Sequence, residues 1–224
     1  METINYTEIY KTLFPFWDKL SSAEQKLLCD NTTSTTYKKN QIVHDGSRCT
    51  GVILVKSGCL RTYLLSDDGK EVTIYRLRKS NICMLSASCV LNSITFDVFI
   101  EAEEDTDILL INGQIFSGVA ERNAPMKIYA LETAVSRFSD VMWIIQQILF
   151  MSLDKRLALY LLEESIEKDS LTIKITHDQI ARNLGSAREV ISRMLKYFVA
   201  EGLIQSNRGE IKILNLEKIK LLSK

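Results

Sequence analysis

Between residues 37 and 111 the chain alternates short apolar, β-rich runs with turns. GVILVKSGCLRTYLL forms two such runs around Ser57-Gly58, and SDDGK at 66–70 is a Gly-containing turn before EVTIYRL. FDVFIEA and TDILLI follow as further short strands separated by an acidic turn. Short strands at this spacing, punctuated by Gly46, Gly58 and Gly69, predict an antiparallel roll or barrel. The stretch before it, residues 6–31, has a helical pattern with a start at Leu20-Ser21-Ser22-Ala23-Glu24.

The period then changes. Apolar residues fall at Ile128, Leu131, Val135, Phe138, Met142, Ile145 and Leu149, in alternating steps of three and four. That is the seam of a coiled coil. A helix over residues 126–152 at 1.5 Å per residue is about 40 Å long. Ile144, Ile148 and Met151 broaden the stripe, so one flank is expected to pack on the chain's own β-region. A single helix cannot cover both flanks by itself, and a symmetric dimer pairing the helix with its copy is the economical solution. Asp154 is expected to cap a following helix, DKRLALYLLEESIEK, with residues 157, 158, 161, 162 and 166 inward.

Further on, Thr176-His177-Asp178-Gln179 reads as a capping box opening a short helix that ends at Gly185. Ser186-Ala187-Arg188-Glu189 reads as a second box, opening AREVISRMLKYFVAE, which stops at Gly202. Ile180, Ala181 and Leu184 face Val190, Ile191, Leu195 and Phe198 across a glycine turn, the pattern of a helix-turn-helix. Leu203-Ile204, the turn Ser206-Asn207-Arg208-Gly209 and Glu210-Ile211-Lys212-Ile213 add a β-hairpin, which makes it winged.

Composition bounds these elements. The chain has 224 residues, 46% hydrophobic and 25% charged, and its 9 Gly and 2 Pro are few, which excludes a low-complexity or largely disordered chain. METINYTEIY has no basic or apolar leader pattern and no stretch approaches 18 uninterrupted apolar residues, so a cytoplasmic protein without a membrane partner is expected. The net charge of zero hides an asymmetry: residues 171–224 carry 10 basic and 5 acidic side chains, which points to a polyanionic partner there. With two histidines and no GxSxG, P-loop or zinc spacing, nothing suggests an enzyme.

The second helix of such a motif lays its amino-terminal polar face in the DNA major groove. On that face stand Arg188, Glu189, Ser192 and Arg193, where arginine matches guanine O6/N7 and glutamate accepts from cytosine N4. Lys196 and Arg208 are placed to meet phosphates, as are the hydroxyls and backbone N–H groups at Thr176 and Ser186. Double-stranded DNA is therefore the expected partner.

THDQIARNLGSAREVISRMLKYFVAEGLI resembles the DNA-binding signature of the bacterial Crp/Fnr transcription regulators, and the order of elements is similar to theirs along nearly the whole chain. The resemblance implies an α+β fold with a jelly-roll-like, cyclic-nucleotide-binding-like antiparallel sensor over 1–122. A dimerisation helix and hinge over 123–153 and a winged helix-turn-helix over 154–224 would follow. It implies a homodimer on a two-fold symmetric operator, base reading by Arg188, Glu189 and Arg193 with Ser192 beside them, and contact with RNA polymerase. Members that bind cyclic nucleotides hold the phosphate with a Gly-Glu-Leu turn and an Arg-Ser or Arg-Thr pair. Here the aligned residues are Asn81-Ile82-Cys83-Met84-Leu85 and Phe96-Asp97, without the arginine and with an added carboxylate. The effector is thus expected not to be cyclic AMP.

An effector pocket between the roll and the long helix is placed by this analogy, with Tyr75, Cys83, Cys89 and Arg137 as its lining. Cys83 and Cys89 remain open between small core residues and a redox or metal pair, so the effector is a small molecule or a redox signal of unknown identity. No cofactor is expected: Cys29 stands alone where Fnr-type members hold an iron–sulfur cluster, and His44 is the single histidine of the sensor region. The acids between Glu101 and Asp107 read as a solvated turn rather than a calcium loop. The competing reading is a sensor or dimerisation module that does not bind specific DNA.

Overall fold

The computed structural model describes residues 5–46, 50–84 and 98–224. Cys49, Leu85, Cys89, Phe96 and Asp97 lie outside them. The contacts divide the chain into two units, one of residues 1–64 and 74–141, the other of 65–73 and 142–224.

In the first unit, α1 (Tyr6–Leu13) and α2 (Ser22–Asp30) precede the strands. Ser21 caps α2, accepting from the Glu24 amide, while Glu24 accepts from the Ser21 amide at 2.8 Å. Strands β1 (Thr32–Tyr37), β3 (Val52–Ser57), β6 (Ile82–Cys83) and β8 (Thr106–Ile111) form one sheet in the order β1-β8-β3-β6. Strands β2 (Ile42–His44), β4 (Cys59–Leu65), β5 (Glu71–Arg78) and β7 (Phe99–Ala102) form the other, ordered β2-β7-β4-β5. The pairings run antiparallel, with Thr32 opposite Ile111 and Leu60 opposite Ala102.

The unbroken apolar run of β3 has a simple cause, because the strand is buried on both faces. Val52 and Leu54 pack with the helical layer of Tyr10, Phe14, Trp17 and Phe116, whereas Ile53 and Val55 pack with Leu60, Leu77 and Ile100 of the opposite sheet. At Gly58, between β3 and β4, φ is +86° and a Cβ would come within 2.5 Å of the Asp105 carbonyl, so the turn requires glycine. Three acids of the β7–β8 segment are ion-paired: Glu101 with buried Arg61 at 2.8 Å, Glu103 with Arg76 at 2.6 Å and Asp105 with Lys38 at 2.7 Å.

After α3 (Gly113–Ala120), α4 (Ala124–Phe150) runs for 27 residues. Met126, Tyr129 and Ala130 of this helix pack on the first unit's core and Val141 packs on its sheet cluster; of the expected flank, Ile148 is exposed.

The second unit comprises α5 (Leu153–Glu167), β9 (Thr172–Ile173), α6 (His177–Leu184), α7 (Arg188–Ala200), β10 (Ile204–Asn207), β11 (Glu210–Ile213) and α8 (Leu216–Leu222). One apolar cluster unites them, from Leu157 and Leu161 of α5 through Ile180, Ile191 and Phe198 to Ile219 of α8. Two expectations for α5 are corrected. Its N-cap is Ser152, with Asp154 in the first turn, where hydrogen bonding to Ser152 holds the carboxyl below its ordinary range. Ile166 is exposed rather than inward, because the core ends at Ser165.

Candidate nucleic-acid interface

The Thr176 hydroxyl accepts from the Gln179 amide at 3.2 Å and the Gln179 side chain accepts from the Thr176 amide at 2.9 Å, so two of the donors at the start of α6 are satisfied reciprocally. The helix ends at Gly185, whose φ of +61° lies in the left-handed region. A Cβ there would come within 2.5 Å of Val72, so the position is closed to larger residues by both strain and space. The Arg156 guanidinium, half-buried on α5, donates to the Leu184 carbonyl and places a cation at the negative end of α6.

The start of α7 differs from expectation. Ser186 and Glu189 form no capping box; the N-cap is Ala187 and it makes no side-chain bond. The reason is the preceding turn: the Ser186 amide donates to the Ala181 carbonyl at 2.9 Å, so Ser186 still belongs to the C-terminal cap of α6. Glu189 is therefore free of the box and sits exposed in the first turn of α7.

Ile191, Leu195 and Phe198 bury one side of α7 against Ile180, Ala181 and Leu184 of α6, with Val190 half-buried beside them. On the opposite side Arg188, Glu189, Arg193 and Lys196 are exposed. Thr176 and Arg208 are exposed as well, and Ser186 is half-buried. Arg208 and Gly209 form the tip of the wing, where Asn207 pairs with Glu210, and the Ile175 amide donates to the Gly209 carbonyl at 3.0 Å. β9 adds a third strand to this hairpin, pairing Ile173 with Ile211.

Ser192 has a different environment from the arginines beside it. It is half-buried, and its hydroxyl lies 2.9 Å from Nδ1 of His177, whose Nε2 lies 3.4 Å from the Ser206 hydroxyl on the wing. Burial and then the nearby Arg188 push the His177 imidazole below its ordinary value. Sequence reasoning assigned His177 no role beyond the capping box. The signal that existed was the residue type, a histidine at the first helical position beside the reading helix.

In the other unit, three of the four residues expected around an effector come together. The Arg137 guanidinium lies over the Tyr75 ring, 4.8 Å from its centroid, and also binds Asp140 at 2.9 Å. The Tyr75 hydroxyl is 3.8 Å from the Cys83 thiol, and burial raises the phenol well above its usual value. Cys89 lies outside the described residues. A groove of about 320 Å³ opens beside Arg137, lined by Ser80, Asn81, Tyr129 and Glu132 among others. His44 is buried within the roll, with Nδ1 2.6 Å from the Thr50 hydroxyl.

Along α4 the predicted seam is exposed throughout, from Ile128 at 54% through Val135 and Phe138 to Leu149 at 67%. Trp143 and Phe150 extend the apolar surface. Among the described residues, no helix is long and apolar enough to cross a membrane.

Comparison with known proteins places both units. Residues 35–123 match the cyclic nucleotide-binding domain family and residues 155–222 match the Crp-like helix-turn-helix domain family. A crystal structure of a putative transcriptional regulator of the Crp/Fnr family from Eubacterium rectale is 50% identical, with a TM-score of 0.91 over 95% of this chain and 99% of that one. The probable transcriptional regulator flp of Lacticaseibacillus casei is 24% identical over 91% of this chain and 93% of its own length. Similar at 24% over 74% of this chain and 81% of its own is the cAMP-activated global transcriptional regulator Vfr of Pseudomonas aeruginosa.

Proposed function

The chain belongs to the Crp/Fnr family of transcriptional regulators, and from that premise we propose that it acts as a homodimer reading a palindromic operator. Residues 154–224 do the reading, 123–153 pair the subunits, and 1–122 sense an effector. Arg188 and Arg193 address guanine O6/N7, Glu189 accepts from cytosine N4, and Ser192 adds a hydroxyl beside them. Lys196, Arg208, Thr176 and Ser186 meet phosphates and set the register.

One observation carries this reading: α7 packs on α6 mainly through Ile191, Leu195 and Phe198, while the residues it leaves exposed at its amino-terminal end are charged. A rigid helix with such a face suits a groove lined by base edges and phosphates. The exposed seam of α4 supports a second copy of the chain as its occupant, since a monomer rarely leaves a continuous apolar stripe in water. The effector is a ligand other than cyclic AMP. A phosphate monoanion needs a guanidinium or a nest of N–H donors, and the segment aligned with the family's phosphate site offers Asp97 instead. RNA polymerase is the further partner.

Gel-shift titration of genomic fragments against excess non-specific duplex tests the reading. Discrete complexes that resist the competitor are expected. Binding that the competitor abolishes for every fragment would instead favour a sensor or dimerisation module without specific DNA binding.

A further inference from the structure

His177 stands where the three parts of the DNA-binding motif meet. It is the first residue of α6, it touches Ser192 on the reading helix through Nδ1, and it approaches Ser206 on the wing through Nε2. Ser192 is thus no free surface hydroxyl but one end of a Ser–His–Ser bridge that ties α7 to β10. We propose that His177 is a positioning residue for DNA reading, which fixes the Ser192 hydroxyl and the wing together, and that operator binding is coupled to protonation of its ring. The proposal rests on the reading of α7 as the helix that enters the groove.

The coupling follows from the donor and acceptor inventory of the ring. A neutral imidazole has one N–H and one bare nitrogen, whereas the cation has two N–H groups. When Nδ1 is bare it accepts a hydrogen bond from the Ser192 hydroxyl, which then offers DNA its lone pairs alone. When Nδ1 carries a proton it donates to the Ser192 oxygen, and the hydroxyl proton is released to point at an acceptor on a base or phosphate. Protonation of the Nε2–H tautomer of His177 therefore converts Ser192 from an acceptor into a donor toward the groove.

The surroundings set the direction of the effect. From α6 the neighbours are Thr176, engaged in its capping box, and Asp178, which lies 3.6 Å from Arg182. From α7 they are Ser192 and the cationic Arg188, and from the wing Ser206. In the free protein, burial and Arg188 disfavour the imidazolium and favour the neutral ring. On DNA the phosphates bring negative charge and Arg188 is matched to a base, so the imidazolium is favoured. The complex then binds a proton that the free protein does not. Affinity rises as pH falls from the ring's titration in the complex toward its lower titration in the free protein, and it levels off below that.

The test is operator affinity at constant ionic strength between pH 8 and pH 5.5, for the wild-type protein and for His177→Gln. Glutamine keeps one donor and one acceptor but does not titrate in this range. A single coupled proton limits the slope to about tenfold per pH unit, and we expect the wild type to bind roughly three- to tenfold tighter at pH 6 than at pH 7.5. His177→Gln should give a flat profile, since the chain's other histidine, His44, lies in the roll. A variant with weaker binding but the wild-type pH dependence would overturn the coupling and leave a merely structural residue. A second readout needs no variant fold: the two imidazole signals in NMR, titrated free and on operator DNA, should show one moving to higher pH in the complex. Unchanged titration of both overturns the proposal even where the protein binds its operator tightly. Failure to select any operator would overturn this inference together with the DNA-reading function.

Discussion

Helices α4 and α7 share the same period, yet they leave opposite chemistry at the surface. On α4 the residues at steps of three and four are Ile128, Leu131, Val135, Phe138, Met142, Ile145 and Leu149, and all are exposed. On α7 Ile191, Leu195 and Phe198 are buried, and Arg188, Glu189, Arg193 and Lys196 are exposed toward its amino-terminal end, with Tyr197 and Val199 exposed further along. An amphipathic pattern thus states that a helix has two faces without stating which one the chain's own fold will cover. The uncovered face then identifies the partner's chemistry: apolar surface calls for more apolar surface, and a mixed, arginine-rich face for hydrogen-bonding edges amid negative charge.

This contrast makes separable predictions. The largest effect is expected from Phe138→Asp, which sets two carboxylates against each other in an apolar seam at a cost of several kcal/mol. Light scattering should show the mass fall from twice 25.6 kDa to that of one chain, with the helical content of the C-terminal unit kept. A dimer that survives the change would remove α4 from the interface. Next comes Arg193→Ala, which should weaken specific binding by about 1–3 kcal/mol while the mass stays dimeric. Equal affinity would exclude Arg193 from base reading. The smallest is Lys196→Ala, expected to weaken binding alike on all sequences and to reduce the salt slope by about one. A change in sequence preference instead would move Lys196 from the phosphates to the bases.

Much of this architecture is legible in the residue pattern, and the exceptions have physical reasons. The doubly buried β3 and β8 appear as unbroken apolar runs, and the Thr176–Gln179 box marks the start of α6 correctly. Ser186 and Glu189 have the spacing of a second box, but pattern alone does not reveal that the Ser186 amide is already committed to the Ala181 carbonyl. Helix α8 carries a readable start, Asn215 accepting from the Lys218 amide, though the segment is too short for its period to stand out. Two-residue β9 has no signal of its own and exists because β11 offers an edge. The place of His177 is set by partners 15 and 29 residues away, a tertiary fact with no local trace.

Sequencing the DNA that the purified protein selects from a random pool tests the central claim most directly. The account predicts an inverted repeat whose half-sites are centred one helical turn apart, about 10 base pairs, with a G·C pair in each half that loses its enrichment with Arg193→Ala. Selected sequences that carry no two-fold symmetry, or no enrichment over the starting pool, would contradict it.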